Sequence, residues 1–315
     1  MPLAVLHSEA EWTAQFGRPA RPVVVTVGNF DGVHLGHQRI LRRAQEVARQ
    51  TGRASAVLTF YPHPSRVLRP SEAPALLMTL DQRLAAIETI GIDAALVLRF
   101  DAELANVTAQ EFVQRFLVDA IGAKAVLVGG NFRFGHRQKG DVKLLAELGT
   151  RWGFEVEIVP PVIADGMVVS STAIRNAIFE GRVDDARRLL GRPYALEGEI
   201  RTGTGQGRRL VVPTLNLATE QEALPKTGVY ATEAVVEGKT YRAATNVGTR
   251  PTFDGTRVTI ESHLFDFSED LTAGKMEVRF WTRLRDEQKF SGPDALRKQV
   301  LKDIEAAKEY FAIPQ

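Results

Sequence analysis

The chain has 315 residues, room for about two domains, with 44% hydrophobic and 25% charged residues, an ordinary balance for a folded chain. Its 40 Lys+Arg against 38 Asp+Glu leave a net charge of +2, too even to call for a nucleic-acid or membrane partner on electrostatic grounds. The absence of cysteine excludes disulfides and thiolate chemistry. With no leader-like N-terminus and no apolar run of membrane-spanning length, a soluble cytoplasmic protein is expected.

Val23-Val24-Val25-Thr26-Val27 is an unbroken β-branched run of the kind a buried parallel strand needs. Gly28-Asn29-Phe30-Asp31-Gly32-Val33-His34-Leu35-Gly36-His37 follows, and then Ile40, Leu41, Ala44, Val47 and Ala48 recur at helical spacing. Two histidines therefore sit where a strand turns into a helix, beside unpaired backbone N–H groups and the positive end of the helix dipole, a ready phosphate site. The glycines let the backbone approach a ligand. A plain glycine-rich turn and a metal site on His34 and His37 are the competing readings; zinc would want further ligands, and no Gly-Lys-Ser/Thr makes this a P-loop.

Ala54 to Phe60 reads as a second strand, ended by Tyr61-Pro62-His63-Pro64, whose prolines fix the local backbone around His63. A helix is expected near Leu80 to Ile90, a strand over Ala94 to Leu98, and a Thr108–Glu111 capping box at the next helix. Ala125 to Gly129 is another strand, leading into Gly130-Asn131-Phe132-Arg133-Phe134-Gly135; a helix around Lys143 to Trp152 precedes a strand over Phe154 to Val159. This alternation predicts a doubly wound parallel α/β sheet, which binds ligands beyond the carboxyl ends of its strands. His34, His37, His63 and Asn131 all fall there. Ser170-Ser171-Thr172-Ala173-Ile174-Arg175 then enters a helix, where a serine can act as a plain cap or, with Arg175, bind phosphate oxygens.

Gly181 to Pro193 reads as a short helix stopped by Gly191 and Pro193, and beyond it the texture changes to short β-rich segments with glycine turns. The boundary is expected near Ala186, with domains over 1–186 and 187–315. Gly203, Gly205 and Gly207 before Arg208 fit either a hairpin or a phosphate loop. In Pro213-Thr214-Leu215-Asn216, Thr214 and Asn216 are two apart and point the same way on a strand, offering oxygen donors of the kind Mg²⁺ takes beside nucleotide phosphates. Glu261, amid an alternating strand with His263, is either a general base or a solvated carboxylate.

Taken together, H-x-G-H resembles the nucleotidyltransferase signature shared with class I aminoacyl-tRNA synthetases. G-x-F-D-G-x-H-x-G-H, F-x-P-H-P, G-x-N-F-x-F-G and S-S-T-x-I-R resemble the FMN adenylyltransferase module of bacterial bifunctional riboflavin kinase/FAD synthetases. In the second half G-x-G-x-G-R, P-T-x-N, G-V-Y, N-x-G-x-R-P-T-F, E-x-H-L-F-D-F and Leu284 to Phe290 resemble the riboflavin kinase domain of the same enzymes, a Greek-key β-barrel with a terminal helix.

The resemblance implies that ATP, the co-substrate of both reactions, meets Gly28, Phe30, His34, His37, Ser170, Ser171, Thr172 and Arg175 in the first domain, and that FMN meets Phe60, Pro62, His63, Pro64 and Asn131. In the second domain it implies ATP at Gly203, Gly205, Gly207, Arg208, Thr214 and Asn216, Mg²⁺ on Thr214 and Asn216, and riboflavin at Asn246, Arg250 and Glu261, with Glu261 as base. The products implied are FMN with ADP, and FAD with pyrophosphate. The family usually has Gly-Phe before Pro-Thr and Ala before the Asn, where this chain has Val211-Val212 and Leu215.

Overall fold

Valine-rich segments with no polar alternation need cover on both faces, and the first half supplies it with helices between nearly all its strands. The computed structural model describes residues 2–17, 22–201, 212–252, 255–269 and 271–313. These fall into two compact units, Met1–Ser170 and Ser171–Gln315.

In the first unit the elements run β1 (Ala4–Leu6), α1 (Glu9–Phe16), β2 (Val23–Val27), α2 (Leu35–Gln50), β3 (Ala54–Tyr61), α3 (Pro64–Leu68), α4 (Leu80–Ile90), β4 (Ala94–Arg99), α5 (Ala102–Asn106), α6 (Ala109–Phe112), β5 (Ala123–Gly129), α7 (Val142–Trp152), β6 (Glu155–Val159) and a small hairpin, β7 (Ile163–Ala164) with β8 (Met167–Val168). A wide-turned π-helical stretch, Val113–Ile121, continues α6. The sheet order is β1-β4-β3-β2-β5-β6, with every pairing parallel. All five residues of β2 are buried, as a central strand requires.

The winding direction reverses between β2 and β5. Such a switch point opens a crevice at the carboxyl ends of the strands, because the connections leave it on opposite sides. The expected Thr108–Glu111 capping box is formed, with Thr108 accepting from the Glu111 amide and the Glu111 carboxylate accepting from Thr108.

The second unit begins with α8 (Ser171–Phe179) and α9 (Val183–Leu190), followed by β9 (Tyr194–Arg201), β10 (Leu215–Thr219), β11 (Gly228–Val236), β12 (Lys239–Thr252), β13 (Gly255–Leu264), β14 (Lys275–Arg285) and α10 (Pro293–Ala312). The strands close into an antiparallel barrel ordered β10-β13-β12-β11-β14-β9. Strands β11 to β13 form a meander and β14 returns beside β11, which is the Greek-key arrangement. Its interior holds Tyr230 against Phe280, centroids 5.2 Å apart, and a buried hydroxyl ladder from Thr232 through Thr245 to Ser262. Helix α10 lays Ile304, Ala307 and Phe311 on Ala231, Ala244 and Phe265, on the outer side of the wall.

The units divide at Ser170/Ser171, upstream of the Ala186 expected from texture. The cause is tertiary: α9 buries Val183, Ala186, Leu189 and Leu190, its Asp184 accepts a hydrogen bond from Thr282 of β14 at 2.9 Å, and Arg187 lies over the Trp281 ring.

Candidate active sites

At the switch point, β2 ends at Val27 and the chain turns back sharply. Phe30 (φ 52°) and Val33 (φ 38°) both take left-handed backbone, a costly conformation for a β-branched residue. The turn is fastened from outside: the buried carboxylate of Asp31 accepts the amides of Leu77 and Met78 at 3.0 and 3.3 Å. It delivers His34 as the N-cap of α2. The His34 Nδ1 accepts the His37 amide at 3.2 Å, so the neutral ring carries its proton on Nε2, which becomes a donor.

The two imidazoles stack with centroids 3.6 Å apart and planes 16° from parallel, and the Phe30 ring meets His37 edge-on at 5.2 Å. A Cβ on Gly36 would stand 3.1 Å from the His34 ring, so glycine is what leaves that ring its place. The first turn of α2 contains no acidic residue, leaving the positive helix end unopposed. His37 is held well below the ordinary 6.5, first by desolvation, then by His34 and Arg83. Its ring is thus neutral at pH 7, and its buried Nδ1 has no hydrogen-bond partner among the described residues.

The neighbouring strand ends bring the other expected residues to the same edge of the sheet. After β3, His63 caps α3, its Nδ1 2.5 Å from Ser65 Oγ, with Pro64 in the first turn. Phe60 packs edge-on to Phe100 at 5.8 Å, while Pro62 is half-buried. After β5, Asn131 is exposed; a Cβ on Gly129 would meet both its Oδ1 and the tip of Ile40 on α2, so the β5 loop adjoins the histidine helix. Phe132 stacks on Phe134, and Phe134 is buried and paired through its backbone with Gly140, which makes this aromatic pair a packing feature.

Ser170 closes the first unit, whereas Ser171, Thr172 and Arg175 stand on α8 of the second, with Ser171 and Arg175 half-buried and Thr172 exposed. Arg83 on α4 was not singled out by its sequence context. It is buried, and its Nη1 donates to Asn29 O at 2.6 Å, Thr59 Oγ1 at 3.2 Å and Phe60 O at 3.4 Å, tying the end of β3 to the turn after β2.

In the barrel, Asn216 of β10 and Asn246 of β12 are the register partners of Glu261 on either side. Directly paired residues of antiparallel strands project to the same face. Since the next residue, Ser262, belongs to the buried ladder, Asn216, Glu261 and Asn246 form a row on the outer face. Thr214 immediately precedes β10, and the carbonyl of its neighbour Pro213 accepts a 2.9 Å hydrogen bond from His263 Nδ1, which therefore bears the proton. This occupies His263 structurally.

Gly248 lies beside the row. A Cβ there would stand 2.9 Å from Asn246 Nδ2 and 3.1 Å from a Glu287 carboxylate oxygen, so Glu287 from the segment after β14 adjoins the same face. Its sequence signal was the Leu284 to Phe290 stretch, which carried no assigned role. Arg250 lies further along β12, with its backbone alone described, and Gly203, Gly205, Gly207, Arg208 and Val211 lie outside the described residues. Val212 packs on the α10 cluster and Leu215 pairs with Ser262. Among the described residues no helix is long and apolar enough to cross a membrane, and no cluster of three or more His, Asp or Glu side chains is placed to hold a metal.

The FAD synthetase family model matches residues 18–173 and the riboflavin kinase model residues 190–311. The chain is 40% identical over 93% of its length to the bifunctional riboflavin kinase/FMN adenylyltransferase of Pseudomonas fluorescens, covering 94% of that protein, and 36% identical over 94% of its length to the protein so named from Escherichia coli K12, covering 95% of it. Among solved structures, one from Streptococcus pneumoniae described as a macrolide-efflux protein superposes with a TM-score of 0.88 at 32% identity, over 98% of this chain and 99% of that one. A parallel α/β sheet and a Greek-key barrel, each matched by its own family model, are joined in one chain with which the bifunctional relatives align across both: the chain belongs to the bifunctional riboflavin kinase/FMN adenylyltransferase family.

Proposed function

We propose that the chain phosphorylates riboflavin to FMN in its barrel unit and adenylylates FMN to FAD in its parallel-sheet unit, with ATP as co-substrate of both steps and ADP and pyrophosphate released. The observation that carries this reading is coverage: the bifunctional relatives align over more than nine-tenths of the chain, across both units.

The two reactions ask different things of the protein. In the first, a ribityl hydroxyl attacks the γ-phosphorus of ATP; as a poor nucleophile it gains from a base, and Glu261, at the centre of the outer row, takes its proton. Asn246 and Arg250, on the neighbouring strand, orient riboflavin. Thr214 and Asn216 offer a hydroxyl and an amide oxygen, hard donors that fit Mg²⁺, an ion that keeps few protein ligands and fills its shell with water and phosphate oxygens. Bound there, Mg²⁺ would neutralise phosphate charge. Gly203, Gly205, Gly207 and Arg208 are read as its phosphate loop.

In the second reaction the FMN phosphate is already anionic and attacks the α-phosphorus without a base. The protein's task is to orient two anions and to stabilise charge as pyrophosphate leaves. His34, through Nε2–H, and neutral His37 face the ATP phosphates at the acid-free start of α2, with Gly28 and Phe30 shaping the turn. From the resemblance alone, Ser170, Ser171, Thr172 and Arg175 are read as further ATP-binding residues. Phe60, Pro62, His63, Pro64 and Asn131, at the adjacent strand ends, hold FMN. We assign the adenylyltransferase to 1–186 and the kinase to 187–315 in order of chemistry, and read the enzyme as cytoplasmic, which suits a chain without cysteine.

The test is direct. Incubation with riboflavin, ATP and Mg²⁺, followed by chromatographic separation of flavins, gives FMN and then FAD. A protein that binds flavin yet forms neither product would instead be a flavin-binding or sensing relative that has lost turnover.

A further inference from the structure

A buried arginine in a helix interior normally answers to a carboxylate within hydrogen-bond reach, since a desolvated cation is costly alone. Arg83 does otherwise. Its described hydrogen bonds go to three neutral oxygens, the Asn29 and Phe60 carbonyls and the Thr59 hydroxyl. Those oxygens belong to two different segments at the carboxyl edge of the sheet: Asn29 stands in the turn that carries the histidines, and Thr59 and Phe60 at the end of β3, just before Pro62 and His63. One planar group on α4 therefore spans the gap between the turn after β2 and the strand end leading to His63.

The surroundings show why such a tie is needed. The Asn29–Val33 turn holds two left-handed non-glycine residues, Phe30 and Val33, and relaxes unless it is overdetermined. Asp31 anchors it on one side through the Leu77 and Met78 amides, and Arg83 on the other through the Asn29 carbonyl. Phe30 sits between these anchors with its ring edge-on to His37.

We propose that Arg83 is a positioning residue for FMN adenylylation: its guanidinium locks the strained turn against the end of β3 and so sets the stacked His34–His37 pair in place for the phosphate chain of ATP. It acts through the histidines and is not itself a group that touches the reacting atoms. The proposal rests on the reading of His34 and His37 as the ATP-facing pair.

A second consequence is electrostatic. The ionisable groups whose fields reach His37 are His34 from the helix cap and Arg83 from α4, both pushing its pKa down and both secondary to desolvation. Asp31 opposes the desolvation of Arg83 and is the charged group of the turn itself. Removing the Arg83 charge therefore moves the His37 pKa upward, toward the ordinary value; loosened packing that hydrated His37 would move it the same way, and a variant that keeps the charge separates the two.

The experiment uses the full chain with Arg83→Met, Arg83→Lys and His37→Gln, each assayed separately for riboflavin phosphorylation and for FAD formation from supplied FMN and ATP. His37 is titrated by NMR in the wild type and the Arg83 variants. Met approximates the volume of the arginine stem, while Lys keeps the charge but not the fork. We expect Arg83→Met to lower kcat for FAD formation by about 10²-fold, the usual cost of misplacing a reacting group by about 1 Å. Phosphorylation by the same preparations stays at the wild-type rate, and the His37 pKa rises. Arg83→Lys restores the His37 pKa but only part of kcat. If His37→Gln is inactive in FAD formation while Arg83→Met retains wild-type kcat, or if Arg83→Lys restores kcat in full together with the His37 pKa, the positioning role is overturned. If His37→Gln itself forms FAD at the wild-type rate, it is the histidine reading that fails. Should Arg83→Met unfold the first unit, Arg83→Lys decides alone: wild-type kcat in that variant overturns the requirement for the fork.

Discussion

Asn216 and Glu261 face each other as register partners across β10 and β13. The strand pairing alone puts an oxygen donor proposed for Mg²⁺ beside the carboxylate proposed as base, so γ-phosphate and ribityl hydroxyl would meet where two adjacent strands carry their chemistry. Ser262 is turned into the barrel, and this fixes the outward direction of Glu261.

The first prediction tests that carboxylate. Glu261→Gln keeps shape and hydrogen bonding but takes no proton, and loss of a general base commonly costs about 10²–10⁴-fold. Riboflavin phosphorylation is expected to fall by that order while FAD formation from FMN hardly changes. His263 shares the face, yet its Nδ1–H is committed to the Pro213 carbonyl. His263→Gln is therefore expected to retain more kinase activity than Glu261→Gln; the opposite ranking would reassign the base.

A second prediction concerns the space beside His34. His34→Ala and His37→Ala are expected to lower FAD formation by about 10²–10³-fold, the usual loss on removing a preorganised donor. Gly36→Ala is subtler. Its new Cβ would press on the His34 ring from 3.1 Å and must displace it. FAD formation is expected to fall, by less than in the histidine deletions, although alanine favours the helix more than glycine does. Steady-state rates on supplied FMN distinguish this from a gain in stability.

The third prediction is a pH dependence of stability. His37 in the fold titrates well below 6.5 because it is desolvated and faces His34 and Arg83. In the unfolded chain it titrates near 6.5, so as the pH falls through that value the unfolded state binds the proton and the folded state does not. Stability of the first unit is therefore fully present above about 6.5, is lost progressively toward the depressed folded pKa and levels off below it. Denaturant titrations of wild type and His37→Gln across this range check it, because the variant lacks this component of the acid slope.

How far these features were legible in the sequence differs by kind. The parallel strands were visible because Val23–Val27 and its neighbours are apolar without alternation, and the histidine turn because its glycines and polar residues stand between two strongly patterned segments. The outer row of the barrel was legible in part: Asn216 and Glu261 were singled out by local patterning and resemblance, but their adjacency depends on a strand register between segments far apart in the chain. Arg83 left no local signal. On paper it is an ordinary basic residue in a helix, and its contacts with the turn after β2 and the end of β3 set it apart. The same reason hid α9, whose sequence reads as a plain short helix and whose allegiance is decided by Thr282 and Trp281. The π-helical stretch Val113–Ile121 also lacks any breaker residue that would announce it.

A fourth prediction addresses what holds α10 to the barrel. Arg285 and Asp303 form a two-point fork, Nε to Oδ1 at 2.8 Å and Nη2 to Oδ2 at 2.7 Å, with Gln299 donating to Oδ1 at 2.9 Å. Both side chains are largely removed from water, at 16% and 7% exposure, so the discount due to solvent screening is small. Removing one partner of such a pair strands the other charge, and Asp303→Asn is expected to destabilise the unit by about 3–5 kcal/mol. Arg285→Met with Asp303→Leu, which removes both charges, is expected to lose much less. Urea unfolding followed by barrel tryptophan fluorescence measures the difference, and equal losses in the single and double variants would refute the ion-pair account.

The last prediction concerns where the kinase half begins. Texture places the change near Ala186, and a fragment starting at Arg187 would keep every strand of the barrel. It would also cut α9 in the middle, removing the buried Val183 and Ala186 and the Asp184 carboxylate that accepts from Thr282. Deleting buried methyl and methylene groups costs about 0.8 kcal/mol for each CH₂ exposed, and the unpaired Thr282 hydroxyl and uncovered barrel wall add to it. A fragment starting at Ser171 keeps both helices, including the bond from the Lys226 amide to the Ile178 carbonyl at the end of α8. Both fragments are expected to phosphorylate riboflavin, the Ser171 fragment with the higher melting temperature and wild-type-like kcat. Thermal unfolding of the two fragments, with FMN formation measured alongside, sets the boundary. Equal melting temperatures would place it near Ala186 after all, and a folded but inactive Ser171 fragment would show that kinase turnover needs the first unit.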